Sequence, residues 1–366
     1  MAIKIGIVGL PNVGKSTFFN AITNSNVEAA NYPFATIEPN VAILNVEDER
    51  AYKLKDIYDS KKIIFTQVYF YDIAGLVKNA SKGEGLGNKF LANIREVDLI
   101  LHLVRLFEDD NTIHVDSKID PVRDINTIKL ELILSDLEQI EKWITKNKKK
   151  IENERKDLNK LLLMQKIKEE LEKEQEIKDL KFNPEEKDFI KQFNFLTNKK
   201  VIYLANINED KLLNYQEDSL FQKYNDYINK NNLNSIVISA KIEDEITKIN
   251  SMEEKKQFLN EYNLNEKGIN VILKEVFKLL NLGTFFTCGP EEIHLWKFKL
   301  GIKAPEGAGI IHTDFQKGFI KAEIFSYDQI IKYKSEEILK EKGLIKLEGK
   351  DYKIKDGDIV HFRFNI

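Results

Sequence analysis

The chain has 366 residues with an apolar fraction of 42%, which is enough for two or three domains with hydrophobic cores. A formal net charge of −3 and an isoelectric point near 6.1 exclude a protein that coats nucleic acid through bulk positive charge. A single cysteine, Cys288, no secretion signal and no apolar run of roughly 18 residues predict a soluble, cytoplasmic protein without disulfides or membrane contacts.

A phosphate-binding loop follows the first predicted strand, Ile3–Val8. Residues 9–17 match the pattern G-x-x-x-x-G-K-[ST], and Gly9 and Gly14 let backbone N–H groups surround phosphates at the start of a helix. The Lys15 ammonium would reach the β and γ phosphates. We therefore expect a nucleoside triphosphate site to which this loop contributes Asn12, Val13, Gly14, Lys15, Ser16 and Thr17.

Two later segments supply candidates for a magnesium site. Thr36 ends the segment Asn31–Thr36, before a strand at Asn40–Val46, where a switch protein places the threonine that completes Mg²⁺ coordination. A turn threonine without a ligand is the alternative for this position. Asp72 ends the apolar strand Ile63–Tyr71 and would act on the ion from the second shell. We expect Mg²⁺ as the cofactor, with Ser16, Thr36 and Asp72 at its site.

The residues after Asp72 bear on hydrolysis. Gly75 would donate its N–H to the γ-phosphate, and the glycines of segment 83–87 suit a second switch. Leu76 stands where many switch GTPases carry the glutamine that orients the attacking water, which leucine cannot do. His114, in the loop after the strand Val97–Val104, is the candidate for orienting water, and a solvated loop histidine is the alternative. The predicted catalytic residues are therefore Lys15, Gly75 and His114.

Helical spacing of apolar residues begins near Ile128 and predicts an antiparallel helical hairpin inserted at 128–198. Its charges are segregated, because Lys and Arg dominate residues 142–156 whereas glutamates dominate residues 169–176. Two interpretations remain open. Either the charges form solvated faces that pair across the hairpin, or the basic stretch contacts an RNA surface.

Two candidate base-reading loops follow later strands. Asn206–Glu209 comes after Val201–Ala205, and Ser239–Lys241 comes after the next strand. A guanine-reading loop is expected to read Asn-Lys-x-Asp, but Ile207 and Glu209 replace the lysine and the aspartate, which is consistent with a loss of guanine reading. The adenine amine could be met by the Asn206 side chain and nearby backbone. The predicted contacts of the base are Asn206, Ile207, Glu209, Ser239, Ala240 and Lys241.

Alternation of strands and helices over the first ~125 residues, resumed after the hairpin, predicts a doubly wound α/β domain. After Gly283 the pattern changes to short alternating strands, with turns predicted at 305–307 and 355–357, which indicates a small α+β module. The predicted domains are 1–127 with 199–282, the insertion 128–198, and 283–366.

On these motifs the chain resembles the YchF subfamily of Obg-related P-loop ATPases over its whole length. The resemblance implies a G-domain fold with a mostly parallel sheet, an inserted coiled-coil hairpin and a C-terminal ubiquitin-like TGS domain. It also implies a preference for ATP over GTP, a hydrophobic residue in place of the catalytic glutamine, and a histidine at the position of His114. We therefore expect a slow, Mg²⁺-dependent ATPase that acts as a switch. The strings that carry it are Gly9–Thr17, Asn31–Asn40, Asp72–Lys78, Ser81–Asn88, Asn206–Glu209, Gly309–Phe315 and Lys350–Gly357.

The resemblance further implies association with the ribosome. We expect a monomer that binds ATP and contacts the large subunit and the whole ribosome through the hairpin and TGS surfaces, with no sequence-specific DNA partner. An Obg-type GTPase of ribosome assembly is the runner-up, disfavoured by Ile207 and Glu209. A ribosome-binding module whose nucleotide is structural is a further alternative. A metabolite kinase is disfavoured because the insertion offers solvated lysines rather than an arginine lid.

Overall fold

The computed structural model describes residues 2–25, 40–73, 86–108 and 119–365, and no side chains are described for residues 86–90 and Met252. The chain forms two compact units. Residues 1–44 and 68–272 make the first unit, and residues 45–67 and 273–366 make the second.

The strands, in chain order, are β1 (Ile3–Val8), β2 (Val41–Val46), β3 (Lys62–Ile64), β4 (Thr66–Asp72), β5 (Leu99–Arg105), β6 (Lys200–Asn206), β7 (Asn234–Ile238), β8 (Leu282–Cys288), β9 (Glu292–Lys299), β10 (Phe319–Ser326), β11 (Lys346–Glu348) and β12 (Asp358–Phe364). The helices are α1 (Lys15–Asn24), α2 (Glu49–Tyr58), α3 (Leu86–Arg95), α4 (Pro121–Glu154), α5 (Leu158–Glu172), α6 (Pro184–Lys191), α7 (Ser219–Lys230), α8 (Ala240–Lys248), α9 (Met252–Glu261), α10 (Gly268–Leu279), α11 (Ala304–Ile311), α12 (Thr313–Lys317), α13 (Tyr327–Tyr333) and α14 (Glu336–Glu341).

The first sheet has the strand order β2-β4-β1-β5-β6-β7. β1 pairs in parallel with β4 and β5, and the pairs β5–β6 and β6–β7 are also parallel. Its central strands are almost fully buried, with Ile5, Leu99 and Leu204 at 0% exposure, because helices cover both faces of a parallel sheet. The predicted doubly wound α/β fold is confirmed. The carboxyl ends of its strands share one edge, where such sheets bind ligands.

The insertion is a hairpin of α4 and α5. The Asp120 carboxylate caps α4 by accepting the Arg123 N–H at 3.1 Å, and Pro121 occupies the first turn, where its missing N–H costs nothing. The first helix thus begins at Pro121, before Ile128, and the second ends at Glu172. A short 3₁₀ helix begins at Ile177. A core that includes Ile140, Met164, Ile167 and Phe195 holds the helices together.

A buried carboxylate fixes the base of this insertion. Asp136 on α4 is 0% exposed and accepts hydrogen bonds from the backbone N–H of Leu196 at 3.0 Å and of Thr197 at 2.8 Å. It also pairs with Arg95 of α3 at 3.1 Å. Burial raises the pKa of the Asp136 carboxyl, and the hydrogen bonds together with the Arg95 guanidinium offset part of this effect. The carboxylate thus joins the two ends of the insertion to α3.

The second unit contains a mixed sheet in the order β11-β10-β12-β8-β9-β3. It includes residues 45–67, which the sequence analysis placed in the first domain, because β3 pairs with β9 and the buried Ala51 and Leu54 of α2 join the core around Phe286. The predicted strand Ile63–Tyr71 is for the same reason two strands, since β3 and β4 enter different sheets.

One of the two predicted turns of this unit is wrong. The turn at 355–357 is present, with Gly357 at φ +85°. Pro305 and Gly307 lie instead in α11, where proline suits the first turn and the Glu306 carboxylate accepts the Lys303 N–H at 2.8 Å. Proline and glycine mark a turn in sequence, but proline is equally compatible with a helix start.

His102 of β5 makes the fold sensitive to acid. It is 4% exposed, lies between β1 and β6, and has its pKa lowered to about 3 by burial. The unfolded histidine titrates near 6.5, so below that pH the unfolded state takes up a proton that the folded state excludes, and stability falls by about 1.4 kcal/mol per pH unit down to about pH 3. We expect His102→Leu to remove this loss in urea midpoints compared at pH 5 and 7. An equal loss in the variant would contradict the assignment.

Candidate functional site

The phosphate-binding loop depends on its two glycines for different reasons. Gly14 caps α1 with φ +88°, a left-handed conformation that side chains disfavour, and Asn12 is also left-handed at φ +63°. Gly9 has no room for a side chain, because an added Cβ would lie 2.9 Å from the carbonyl oxygen of Leu103 on β5. The loop therefore turns tightly against the neighbouring strand before it enters the helix.

Lys15 and Asp72 meet at the edge of the sheet. The Lys15 Nζ lies 2.5 Å from the Asp72 Oδ1 and 2.9 Å from the carbonyl oxygen of Ile73. The parallel register places Asp72 opposite Ile7, near the end of β1, so the strand that precedes the loop and the strand that carries the aspartate end side by side. The two side chains are only 12% and 19% exposed, so their interaction is partly shielded from water.

Two side chains from the ends of β5 and β6 hold the carbonyl groups of the loop. The Arg105 Nη1 donates to the Asn12 carbonyl at 3.1 Å, and the Asn206 Nδ2 donates to the Val13 carbonyl at 2.8 Å. Both side chains are buried, at 1% and 3% exposure. Fixing these carbonyls fixes the direction of the adjoining N–H groups, which a phosphate site uses as donors.

Sequence reasoning missed Arg105. Its Nε also donates to the carbonyl of Phe107 at 3.0 Å, and its guanidinium lies 4.6 Å from the centre of the Phe107 ring. The available signal was an arginine at the carboxyl end of an otherwise apolar strand. A buried arginine is rare without hydrogen-bond partners, and this edge of the sheet is where ligands bind.

A cavity of about 1080 Å³ opens at this edge. Its walls come from the phosphate-binding loop, from Phe107 and Glu108 after β5, and from the segments after β6 and β7. Val13 and Ser239 are predicted contacts outside this lining. The predicted residues that line it are Asn12, Gly14, Lys15, Ser16, Thr17, Asn206, Ile207, Glu209, Ala240 and Lys241.

The segments after β6 and β7 contribute an ion pair to the lining of the cavity. The Lys241 Nζ bonds to the Glu209 Oε1. Burial disfavours the ionised Glu209, but the Lys241 ammonium outweighs this effect and lowers the pKa of the carboxyl below its usual range. The same contact raises the pKa of the Lys241 ammonium. The carboxylate is therefore charged and already occupied by a cation at neutral pH.

The amide of Asn206 joins the base-reading loops to the phosphate-binding loop. Besides its bond to Val13, its Oδ1 accepts the Ala240 N–H at 2.9 Å. Ile207 is 4% exposed and belongs to the core, and the hydroxyl of the buried Ser239 has no hydrogen-bond partner among the described residues. The Asn206 side chain thus has a structural task that the sequence analysis did not assign to it.

The residues present suit a magnesium ion. The Ser16 hydroxyl lines the cavity and the Asp72 carboxylate lies beside Lys15, and oxygen ligands of this kind are the ones that Mg²⁺ prefers. Four predicted residues, Thr36, Gly75, Leu76 and His114, lie outside the described residues.

Comparison with known proteins finds two family models. Residues 4–151 match the family described as 50S ribosome-binding GTPase. Residues 282–365 match the family YchF-GTPase_C, described as a protein of unknown function (DUF933). The two matches correspond to the phosphate-binding region with the start of the hairpin and to the C-terminal part of the chain.

Full-length relatives agree with these matches. The chain is 48% identical to the ribosome-binding ATPase YchF of Bacillus subtilis and 46% identical to that of Mycoplasma genitalium, with 100% of both chains covered in each case. A solved structure of the Schizosaccharomyces pombe YchF GTPase superposes with a TM-score of 0.88 at 37% identity, covering 99% of this chain and 97% of that one. The names of these relatives agree on the family and differ in the nucleotide.

Proposed function

The chain belongs to the YchF family, and from this premise we propose that it is a Mg²⁺-dependent ATPase that binds the ribosome and prefers ATP over GTP. The single observation that carries the nucleotide preference is the ion pair between Glu209 and Lys241 in the cavity. Guanine presents donors at N1 and at its exocyclic amine, so it needs a free acceptor, whereas adenine presents an acceptor at N1. A carboxylate already paired with a lysine is a poor acceptor for guanine.

The roles of the phosphate end follow from its geometry. Backbone N–H groups of the loop, oriented through Asn12 and Val13, bind the phosphates at the start of α1, and Lys15 supplies positive charge to the β and γ phosphates. Ser16, Thr36 and Asp72 would hold Mg²⁺, which, when bound, neutralises phosphate charge. Lys15 and Asp72 are paired with each other at this edge of the sheet, and this contact would be exchanged for contacts to the phosphates and to Mg²⁺ when the nucleotide binds.

Hydrolysis is proposed to be slow. Leu76 cannot orient a water molecule, so His114 is proposed to do so, and Gly75 to donate its N–H to the γ-phosphate. The product pair is ADP and phosphate. The nucleotide state would be read by a ribosomal partner, which makes the protein a switch in translation or its regulation.

The ribosome is the proposed partner, met by surfaces of the hairpin and of the C-terminal unit, with the large subunit as the contact within the whole ribosome. Relatives that match over the full length are named for ribosome binding. Among the described residues, no helix combines the length and the apolarity that crossing a bilayer requires. We propose a cytoplasmic monomer with neither a membrane nor a specific DNA sequence as partner.

Equilibrium binding of fluorescent ATP and GTP analogues with Mg²⁺ tests the preference. We expect the unaltered chain to favour ATP, and Lys241→Met to reduce the ATP-to-GTP affinity ratio about tenfold by freeing the Glu209 carboxylate for guanine, a change equivalent to about 1.4 kcal/mol. Glu209→Asp should act in the same direction. Asn206→Ala should weaken both nucleotides instead, because it releases Val13 and Ala240.

Lys248→Met is the matched control, since Lys248 lies on the same helix and pairs with Asp244 at 2.6 Å without lining the cavity. It should leave the ratio unchanged. A preference for GTP in the unaltered chain would overturn the proposal in favour of an Obg-type GTPase. An unchanged ATP-to-GTP affinity ratio in Lys241→Met would show that the ion pair does not cause the preference for ATP.

A further inference from the structure

The distal part of the inserted hairpin, residues 142–166, has a charge opposite to that of the chain. This hairpin tip contains nine Lys or Arg residues against three Asp or Glu residues, whereas the chain as a whole has a net charge of −3. It includes the last turns of α4, the connection Arg155–Asp157 and the first half of α5. Positive charge is therefore concentrated at one end of an elongated element.

Most cations of the tip are exposed and unpaired. Lys142, Lys148 and Lys160 pair within the hairpin with neighbouring carboxylates at 2.5, 4.0 and 2.9 Å. Within the described ranges, six further cations are exposed and have no carboxylate within ion-pair distance. They are Lys146, Lys149, Lys150, Arg155, Lys156 and Lys166.

The acidic stretch does not neutralise the tip. Lys168, just beyond it, bridges to Glu141 of α4 at 2.8 Å, and Glu170 pairs with Lys173 of its own segment at 2.9 Å. Glu176 pairs with Lys129 at 3.8 Å and Lys178 at 3.0 Å, both outside the tip. The hypothesis that the two charged stretches pair across the hairpin therefore does not account for the tip.

The two helices that present these charges pack against each other near the connection, although Leu158 and Leu162 are about half exposed there. Ile151 is 8% exposed and Leu161 2% exposed, so apolar contacts continue up to the connection. The connection turns sharply, with Arg155 and Asp157 both left-handed at φ 51° and 64°. Farther back, Trp143 on α4 and Phe189 on α6 make an edge contact with ring centres 5.7 Å apart. Binding would order side chains on a formed scaffold and would not require a segment to fold.

We propose that the hairpin tip binds the phosphate backbone of double-helical ribosomal RNA, an inference that rests on the ribosome binding proposed above. Unpaired cations at the end of a helix pair release counterions from a polyanion, which is the main source of affinity for nucleic acid. The tip has eight lysines and one arginine, and its sole aromatic residue, Trp143, is partly buried. Protein interfaces are depleted in lysine and enriched in aromatics, and single-stranded RNA is bound by stacking on aromatics. The phosphates of an RNA duplex, by contrast, can be bound by lysines without any aromatic side chain.

The test uses the full-length chain with purified bacterial ribosomes and with deproteinised ribosomal RNA, over 50 to 200 mM KCl. The tip variant replaces Lys146, Lys149 and Lys150 with glutamine, which preserves helix propensity. The control variant replaces three exposed lysines of the insertion outside the tip with glutamine, and so removes the same charge. They are Lys173, Lys181 and Lys187. Circular dichroism checks that both variants are folded.

We expect the affinity of the tip variant for ribosomes and ribosomal RNA at 100 mM KCl to be lower by a factor of about ten or more. The slope of log K against log[KCl] should also be shallower by about 2 to 3. ATP hydrolysis without ribosomes should be unchanged, and the control should bind like the unaltered chain. The proposal would be overturned if the tip variant bound ribosomes and ribosomal RNA as tightly as the unaltered chain, or if the control variant lost as much affinity as the tip variant.

Two other outcomes separate the alternatives. If the tip variant lost ribosome affinity while binding to deproteinised RNA was unaffected, the tip would contact an acidic ribosomal protein and the RNA proposal would fail. If the unaltered chain did not bind ribosomes at all, the proposed function would fail together with the inference. Normal ribosome binding by the tip variant would overturn the inference alone.

Discussion

Gly14→Ala is expected to abolish nucleotide binding at accessible concentrations, with a loss of affinity greater than about 100-fold. An alanine Cβ would lie 2.4 Å from the Asn206 Nδ2, and its backbone would keep φ +88°, a conformation that costs about 1 to 2 kcal/mol for a residue with a side chain. Moving Asn206 breaks its bonds to Val13 and Ala240, so both halves of the cavity lose their alignment. Titration with fluorescent ATP measures the loss.

The matched control for this variant is Gly289→Ala. A Cβ at Gly289 would meet nothing within 4 Å, and this glycine does not have a positive φ, so the same substitution should leave nucleotide binding unchanged. Thermal unfolding of both variants separates a local effect from global unfolding. Nucleotide affinity in Gly14→Ala within about threefold of the unaltered chain would contradict the close packing of Gly14 against Asn206.

Lys15→Met is expected to reduce kcat for ATP hydrolysis by about 10²- to 10³-fold, the usual cost of removing one group that stabilises developing charge. The Lys15 ammonium is held by the Asp72 carboxylate and the Ile73 carbonyl, at the place where the loop and β4 converge. Its removal takes positive charge from the phosphates and leaves the partly buried Asp72 without its cation, which also weakens nucleotide binding. Steady-state phosphate release with Mg²⁺ measures the effect.

Lys199→Met provides the control for the loss of a lysine that is bonded to backbone carbonyls. The Lys199 Nζ donates to the carbonyls of Arg95 and Val97 at 2.9 and 2.7 Å, before the first residue of β6 and hence at the opposite edge of the sheet. Removing it should lower stability and leave kcat nearly unchanged. Hydrolysis by Lys15→Met at the rate of the unaltered chain would exclude a direct role of Lys15 in hydrolysis.

The elements that sequence could predict are those whose causes are local. The glycines and the lysine of the phosphate-binding loop lie within nine residues, and the apolar run before them and the helical run after them supply their context. The sequence pattern likewise predicted the parallel α/β fold and the helical hairpin, because apolar periodicity reports which face of an element is buried. Each of these predictions needs only residues that are neighbours along the chain.

What depended on tertiary structure joins residues that are far apart in sequence. Arg105 holds Asn12, Asn206 holds Val13, and residues 45–67 belong to the second unit through the pairing of β3 with β9. None of these contacts leaves a periodic pattern or a spacing in the sequence. The contacts of Arg105 and Asn206 form only when parallel strands bring their ends to one edge, and the third forms only when two distant strands pair in one sheet.

The chain by itself therefore determined that phosphate is bound and at which loop, since backbone donors and a lysine suffice for that. Only the tertiary structure decided that the Glu209 carboxylate is occupied by Lys241 and that the cations of the hairpin tip remain unpaired. The physical reason is that the interaction of a charge depends on its distance from other charges in space, whereas sequence records only its distance along the chain.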